Sequence, residues 1–443
     1  MNPSKHCHEI GAAELVAQLR AGSLSLHEYL GALGQYTEAV EPQVQAFASH
    51  SREVVALQVE RLDSLRHTGM PLPGLYGVPV GVKDNIDTMD YPTELGFAGT
   101  RGRTPGEDAL LVHKLREAGA IVWGKTRCTE LAYMEPTVTR NPRALDHTPG
   151  GSSSGSAAAV AAGMVPVAIG TQTNGSVIRP AAFCGVFGFK PSRDLIFNGG
   201  VLACSPSLDQ VGVFARNVED LAEVAQVLVG GHEGPGGRMV FPMRLGEVCR
   251  EAPPMPPRLM FVRTPQWDRM DPQACEAFEE LREELKDCMV EVELPASIQN
   301  ALGWHKTIME AEMSVHLRTL LAAHGGRASA ATQAVIERGA AILASDYLTA
   351  RERMDKAARG FDEFFDHFDA IVTPATLGAA PAGLTSTGDP VMCTLWTFAG
   401  LPALSLPLLH DEGGLPIGVQ LVGAARNDAR LLRTARWLTE RLA

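Results

Sequence analysis

The feature that most constrains this chain is a glycine–serine run, Gly150-Gly151-Ser152-Ser153-Ser154-Gly155-Ser156, set directly against Ala157-Ala158-Ala159-Val160-Ala161-Ala162. Gly/Ser tracts ordinarily serve as flexible linkers. A linker does not normally run straight into a small-residue helix (154–162) and then an apolar strand (165–169). The run therefore reads as a tight polar turn between buried elements. Its four serines gather hydroxyls that can each donate and accept in one place.

The flanking sequence supplies the layers such a turn needs. Residues 11–21 read as a helix closed by Gly22, and Ser25 to Glu28 has the spacing of a capping box for the next helix. A third amphipathic helix covers 51–66. Short apolar strands are expected at 78–82, 120–123 and 165–169, with a helix over 107–118 between the first two. This alternation predicts an α/β fold, with a mostly buried mixed sheet flanked by helices. The stretch from Gly230 to Pro257 is rich in Gly and Pro and reads as a surface connection into a second lobe. That lobe starts with a strand over 258–262 and continues through helices to about 368. Strands over 370–373, 403–406 and 417–422 and a helix over 427–442 follow. No internal repeat is visible. The expected organisation is one large domain over 1–443, with its core at 75–216 and the second lobe at 258–368, inserted before the C-terminal strands.

Composition narrows the partners. A formal net charge of −12 argues against non-specific nucleic-acid binding, which needs a basic surface to displace counterions. The longest mostly apolar stretch, 157–170, falls short of the roughly 18–20 residues a membrane helix needs and contains Pro166. The N-terminal residues carry no apolar core of a secretory signal. Eight cysteines are scattered without Cys-x-x-Cys spacing, the pattern of reduced thiols, so a cytoplasmic location is expected.

Three segments carry chemistry. Gly77-Val-Pro-Val-Gly-Val-Lys83 is a strand that ends in a lysine, and a lysine leaving so apolar a strand loses solvation, which lowers its pKa. The glycine–serine turn offers hydroxyls. Gly170-Thr-Gln-Thr173-Asn174-Gly175-Ser176 ends a strand in a turn whose successive N–H groups can converge on a developing oxyanion. Taken singly, each has an ordinary structural reading: a surface lysine, a linker, a common Asn-Gly-Ser turn.

Together they resemble the amidase signature family. The match is to its Gly-Gly-Ser-Ser-Gly-Gly-Ser and Thr-Asp-Thr-Gly-Gly-Ser segments, with Ser152 and Ser176 separated by 24 residues as in that family. Gly124-Lys-Thr, Phe183-Cys-Gly-Val-Phe-Gly-Phe-Lys190-Pro, residues 207–216, Thr373-Pro-Ala and residues 416–423 extend the resemblance through almost the whole chain. It implies Ser176 as acylated nucleophile, Ser152 as bridging serine on a cis peptide, and Lys83 as base. It also implies main-chain oxyanion donors around Thr173, Asn174, Gly175 and Ser176. An unshifted lysine is neutral about one time in 2,500 at pH 7, a cost of about 4.6 kcal/mol, so burial must lower its pKa.

Two departures stand out. The family's usual Asp falls at Gln172 and its usual Arg at Ile178, so both charges go together. Arg179 stands one position later, as in a malonamidase-like branch. It is a candidate binder of a substrate carboxylate or, equally, a structural arginine. Ser153 is a further candidate for substrate contact, and Asn174 adds a side chain where Gly is usual. Pocket walls are expected from roughly 300–360 and 386–396.

Other signals carry less. Residues 119–126 fit the phosphate-loop pattern, but their interior, Ala-Ile-Val-Trp, reads as strand. His6-Cys7-His8-Glu9 could ligate a metal only from a terminus. His147 lies near the turn, but no Gly-x-Ser-x-Gly elbow leads into it. The expectation is therefore an amidohydrolase of a small linear amide, without metal or cofactor, compatible with a homodimer or a small helper subunit. The competing readings are the glutamine-hydrolysing subunit of an amidotransferase and a catalytically idle homologue that serves as a binding subunit.

Overall fold

A computed structural model describes residues 7–442 apart from 296, 297, 299 and 326. The apolar segments become strands β1 (Phe47–His50), β2 (Pro79–Lys83), β3 (Ile121–Thr126), β4 (Val167–Gln172), β5 (Phe187–Lys190) and β6 (Gln210–Ala215). A small hairpin, β7 (His232–Glu233) and β8 (Met239–Val240), stands apart. Then follow β9 (Leu259–Phe261), β10 (Met289–Glu291), β11 (Ala370–Pro374), β12 (Ala403–His410) and β13 (Pro416–Val422). All but the hairpin join one sheet in the order β1-β3-β2-β4-β6-β5-β12-β13-β11-β9-β10. Pairing is parallel for β3-β2-β4 and β11-β9-β10 and antiparallel elsewhere. The chain is thus a single α/β domain around a mostly buried mixed sheet.

Every residue of β2, β3, β4 and β6 is buried. Strands covered by helices on both faces read as continuous apolar runs, which explains the lack of alternation in Val-Pro-Val-Gly-Val. The helix Ser154–Ala161 is made of small residues because it lies against backbone. A Cβ on Gly155 would stand 2.2 Å from the Ala46 carbonyl oxygen and 2.5 Å from the Arg127 nitrogen. The closing helix, Asp428–Arg441, buries Leu431, Leu432, Ala435 and Leu438 on one face.

Some expectations change. The helix Leu26–Val44 follows Ser25, but that hydroxyl caps nothing; Ser51, Asn217, Asp271 and Ser329 accept first-turn N–H bonds from Val54, Asp220, Gln273 and Thr332. The Gly/Pro-rich stretch is more than a surface connection. It carries the β7–β8 hairpin and a helix, Leu245–Arg250, whose Leu245 and Cys249 are buried. Strands β5 and β6, central in the sheet, have no strand-like alternation and become legible only through their partners. The segment resembling a phosphate loop is largely strand β3, so no loop exists there to wrap a phosphate. None of the eight cysteines is in a disulfide. Among the described residues no helix is long and apolar enough to cross a membrane.

Candidate active site

Strand register builds the site. β2 and β4 run parallel with Val80 opposite Val167 and Val82 opposite Ile169, so Lys83 at the end of β2 arrives beside Thr171. The side chain is fully buried. Its Nζ donates to Ser152 Oγ at 2.7 Å, to Thr171 Oγ1 at 2.8 Å and to the Thr171 carbonyl at 3.3 Å. Asn85 Nδ2 donates to the same Thr171 hydroxyl at 3.0 Å. All of these bonds to the lysine are to neutral groups. Burial therefore pushes its pKa down to about 8, with the Cys128 and Cys204 thiols and Asp209 pulling weakly the other way.

The four serines of the polar turn divide the work. Ser152, preceded by a cis Gly151–Ser152 peptide, faces the lysine. Ser153 Oγ donates to the Thr171 carbonyl and accepts from the Thr171 N–H. Ser154 Oγ donates to the Gly150 carbonyl, and Ser156 Oγ to that of Ile169. Ser153 is thus a buried clasp on β4 and is not among the residues that line the cavity. Gly170 leaves room for this clasp, since a Cβ there would stand 2.7 Å from Ser153 Oγ.

Beyond β4 the chain turns through Thr173–Val177 into the helix Ile178–Cys184. Gln172 folds back over this turn: its Oε1 accepts from the N–H groups of Val177 (2.7 Å) and Ile178 (3.0 Å), and its Nε2 donates to Thr397 Oγ1. A neutral amide thereby organises the turn with no buried charge to balance. Thr173 Oγ1 donates to Asp209, and Asn174 Oδ1 accepts from Thr394, which turns the extra side chain at 174 aside. His305, pushed by burial down to about 4 and so neutral, donates from Nε2 to the Thr173 carbonyl at 3.0 Å. The N–H groups of Thr173, Asn174, Gly175 and Ser176 donate to no protein acceptor among the described residues.

Thr173 to Ser176 line a cavity of about 470 Å³. Its other walls are Ala132–Met134, one face of the helix Ala301–His324, Arg338, and Asp389 to Thr394. These lie largely in the two regions expected from sequence; the 132–134 wall was not foreseen, and no motif marks it. Ser176 is on the wall, whereas Ser152 and Lys83 are buried and not among the residues that line it. The structure therefore brings Lys83 and Ser152 into contact and sets Ser176 on the cavity wall, with no hydrogen bond from Ser176 Oγ to Ser152.

Arg179 lines the cavity yet is almost wholly buried. One terminal nitrogen donates to the Gly151 carbonyl at 2.6 Å and the other to that of Gly388. Burial lowers its pKa to about 10. Its two terminal nitrogens thus each hold a main-chain carbonyl, as the structural alternative expects, while Nε has no protein partner. His147 pairs with Asp146 at 2.8 Å and is not on the cavity wall. Of the N-terminal cluster, His6 lies outside the described residues, Cys7 is buried and His8 stacks on Tyr36. Among the described residues no three His, Cys, Asp or Glu side chains converge as a metal site would require.

The model of the amidase family matches residues 28–432. The chain belongs to this family. A relative from Picosynechococcus, a subunit of Glutamyl-tRNA(Gln) amidotransferase, is 32% identical over 94% of this chain and 95% of its own length. The fold superposes on a protein from a vestigial complex bearing on the origins of an s-triazine catabolic enzyme. The TM-score is 0.89 at 26% identity, covering 97% of this chain and 98% of that one. Peptide amidase from Stenotrophomonas maltophilia gives a TM-score of 0.83 at 27% identity, over 99% and 98% of the two chains. The family assignment makes the protein an amidohydrolase, a C–N hydrolase. The malonamidase-like placement suggested by Arg179 does not hold: the curated relatives are amidotransferase subunits, and the arginine it rested on is bonded to two carbonyls.

Proposed function

We propose that the protein hydrolyses the C–N bond of a small linear amide through an acyl-enzyme on Ser176. The observation that carries the reading is a buried lysine, lowered to about 8 and donating to Ser152, together with a cavity wall that bears Ser176 and four N–H groups without a protein partner. Folding gains nothing from burying a lysine against two hydroxyls, because desolvating the ammonium costs several kcal/mol.

In the proposed sequence Ser176 Oγ adds to the amide carbonyl carbon while its proton passes to Ser152 and the Ser152 proton to neutral Lys83. The N–H groups of Thr173–Ser176 receive the oxyanion; one such donor is worth about 10²–10³ in rate. Collapse breaks the C–N bond as the relay returns the proton to the leaving nitrogen. Water then adds to the ester, the same relay takes its proton, and the acid leaves with Ser176 restored.

A second reading has its own support. The curated relatives, matched over nearly their full length, are subunits of an amidotransferase, so the chain would act beside partner subunits with glutamine as the amide. The tests are the intact mass after fluorophosphonate treatment of wild type and Ser176→Ala, and ammonia release from small amides by the isolated chain. A single adduct lost in the variant, with turnover of simple amides, supports the free-standing hydrolase. An adduct without turnover, followed by glutaminase activity on adding partner subunits, supports the second. No adduct refutes the serine nucleophile and leaves the binding-subunit reading.

A further inference from the structure

The helix Ala301–His324 turns one stripe toward the cavity: Leu302, His305, Lys306, Met309, Glu310 and Met313. These positions follow the i, i+3, i+4, i+7 spacing of a single helix face. Such a face is ordinarily apolar, and here Leu302, Met309 and Met313 are. Of its polar members, His305 is neutral and bonded to the Thr173 carbonyl. Glu310 accepts from Arg338 Nε at 2.9 Å and Nη2 at 2.7 Å.

The remaining wall charges are also matched. Asp389 pairs with Arg269 at 2.5 Å, and Arg179 is bonded to the Gly151 and Gly388 carbonyls. Lys306 alone, among the described wall residues, carries a charge with neither an ion pair nor a hydrogen bond. It is exposed, so its ammonium keeps its solvation while reaching over the cavity mouth. One residue before it, His305 touches the turn that bears Ser176, and consecutive Cα atoms are only about 3.8 Å apart.

We infer that Lys306 is a specificity-determining residue that receives an anionic group at the far end of the substrate. The substrate class is an amide whose acyl chain ends in a carboxylate, with Leu302, Met309 and Met313 as the apolar part of the same wall. This rests on the proposed amide chemistry at Ser176 for the direction of binding. It moves the carboxylate contact from Arg179, whose two terminal nitrogens each hold a main-chain carbonyl, to a cation with no partner among the described residues.

The test measures binding, so that it does not depend on turnover. Hexanamide and the monoamide of hexanedioic acid, which differ by one terminal carboxylate, are titrated calorimetrically into Ser176→Ala, Ser176→Ala/Lys306→Met and Ser176→Ala/Lys306→Arg. In the Lys306 protein the carboxylated amide binds about fivefold more tightly, the range of a solvent-exposed ion pair, and the advantage shrinks at high salt. Lys306→Met removes the advantage and Lys306→Arg keeps it. Equal affinity for the two amides with Lys306 present, or an advantage that survives Lys306→Met, overturns the inference. Failure of the serine chemistry shows separately, as a missing fluorophosphonate adduct on the wild-type chain.

Discussion

Replacing Lys83 with Met should stabilise the protein while silencing it. The side chain is fully buried, bonded only to neutral oxygens, and held at about 8 against an ordinary 10.5. That difference corresponds to about 3 kcal/mol against the charged form. Removing the ammonium relieves this cost, and losing the donor to Ser152 Oγ returns about 1 kcal/mol. The net gain is about 2 kcal/mol at pH 7, or on the order of 2–4 °C in Tm for a chain of this size. The sign with pH follows from the lowered value. Below pH 8 the lysine is charged in both the folded and the unfolded chain, and the full cost is present. Between about 8 and 10.5 the folded chain sheds its proton first, and the cost disappears. The gap between Lys83→Met and wild type is therefore widest below pH 8 and closes toward pH 10.5. Taking the difference between the two proteins cancels Lys125 and Lys190, which are also buried and lowered. Acylation moves the opposite way. At pH 7 about one lysine in ten is neutral, where an unshifted one would be neutral about once in 3,000. The wild-type rate of fluorophosphonate labelling should rise about tenfold per pH unit up to 8 and then level, a break absent in Lys83→Met. A variant less stable than wild type at pH 7, or a stability gap constant from pH 7 to 10, would refute a desolvated base at this position.

Two further substitutions probe the frame of the site. Arg179→Ala strands the buried carbonyl of Gly151, worth about 1–3 kcal/mol when left unpaired, and frees the part-buried one of Gly388. It should lower Tm and cut kcat/KM equally on neutral and carboxylated amides; a loss confined to carboxylated amides would show that its guanidinium serves substrate after all. Gly175→Ala puts a Cβ 2.9 Å from Pro390 Cβ and 3.2 Å from Cys393 Sγ, so the turn must move. Labelling of Ser176 should fall by about 10²-fold, the worth of one displaced oxyanion donor, with little change in far-ultraviolet circular dichroism. Unchanged labelling would separate this turn from the chemistry.

What could be read from sequence were features with a local cause. Lys83, Ser152 and Ser176 were singled out because three segments, each ordinary by itself, together resemble those of the amidase signature family in residues and spacing. Strands β2, β3 and β4 were legible because burial on both faces leaves an unbroken apolar run. The α/β class followed from helix and strand alternating along the chain. What tertiary structure decided were the partners. Arg179 could equally bind substrate or serve structure, Ser153 was a further candidate for substrate, and only the nearby Gly151, Gly388 and Thr171 backbone shows where their hydrogen bonds go. Gln172 looked like a lost aspartate until the turn folded back onto its side chain. Strands β5 and β6, with Gly188 and Gly212 in them, show no period of their own and exist through neighbours distant in sequence. Lys306 is an ordinary surface lysine in the sequence. Its meaning comes from the helix face it shares with Met309 and Met313, and from counter-charges supplied to its neighbours by residues as far away as Arg338. A hydrogen bond or an ion pair between residues far apart along the chain leaves no mark on the local pattern, because its partner is chosen only when the sheet closes.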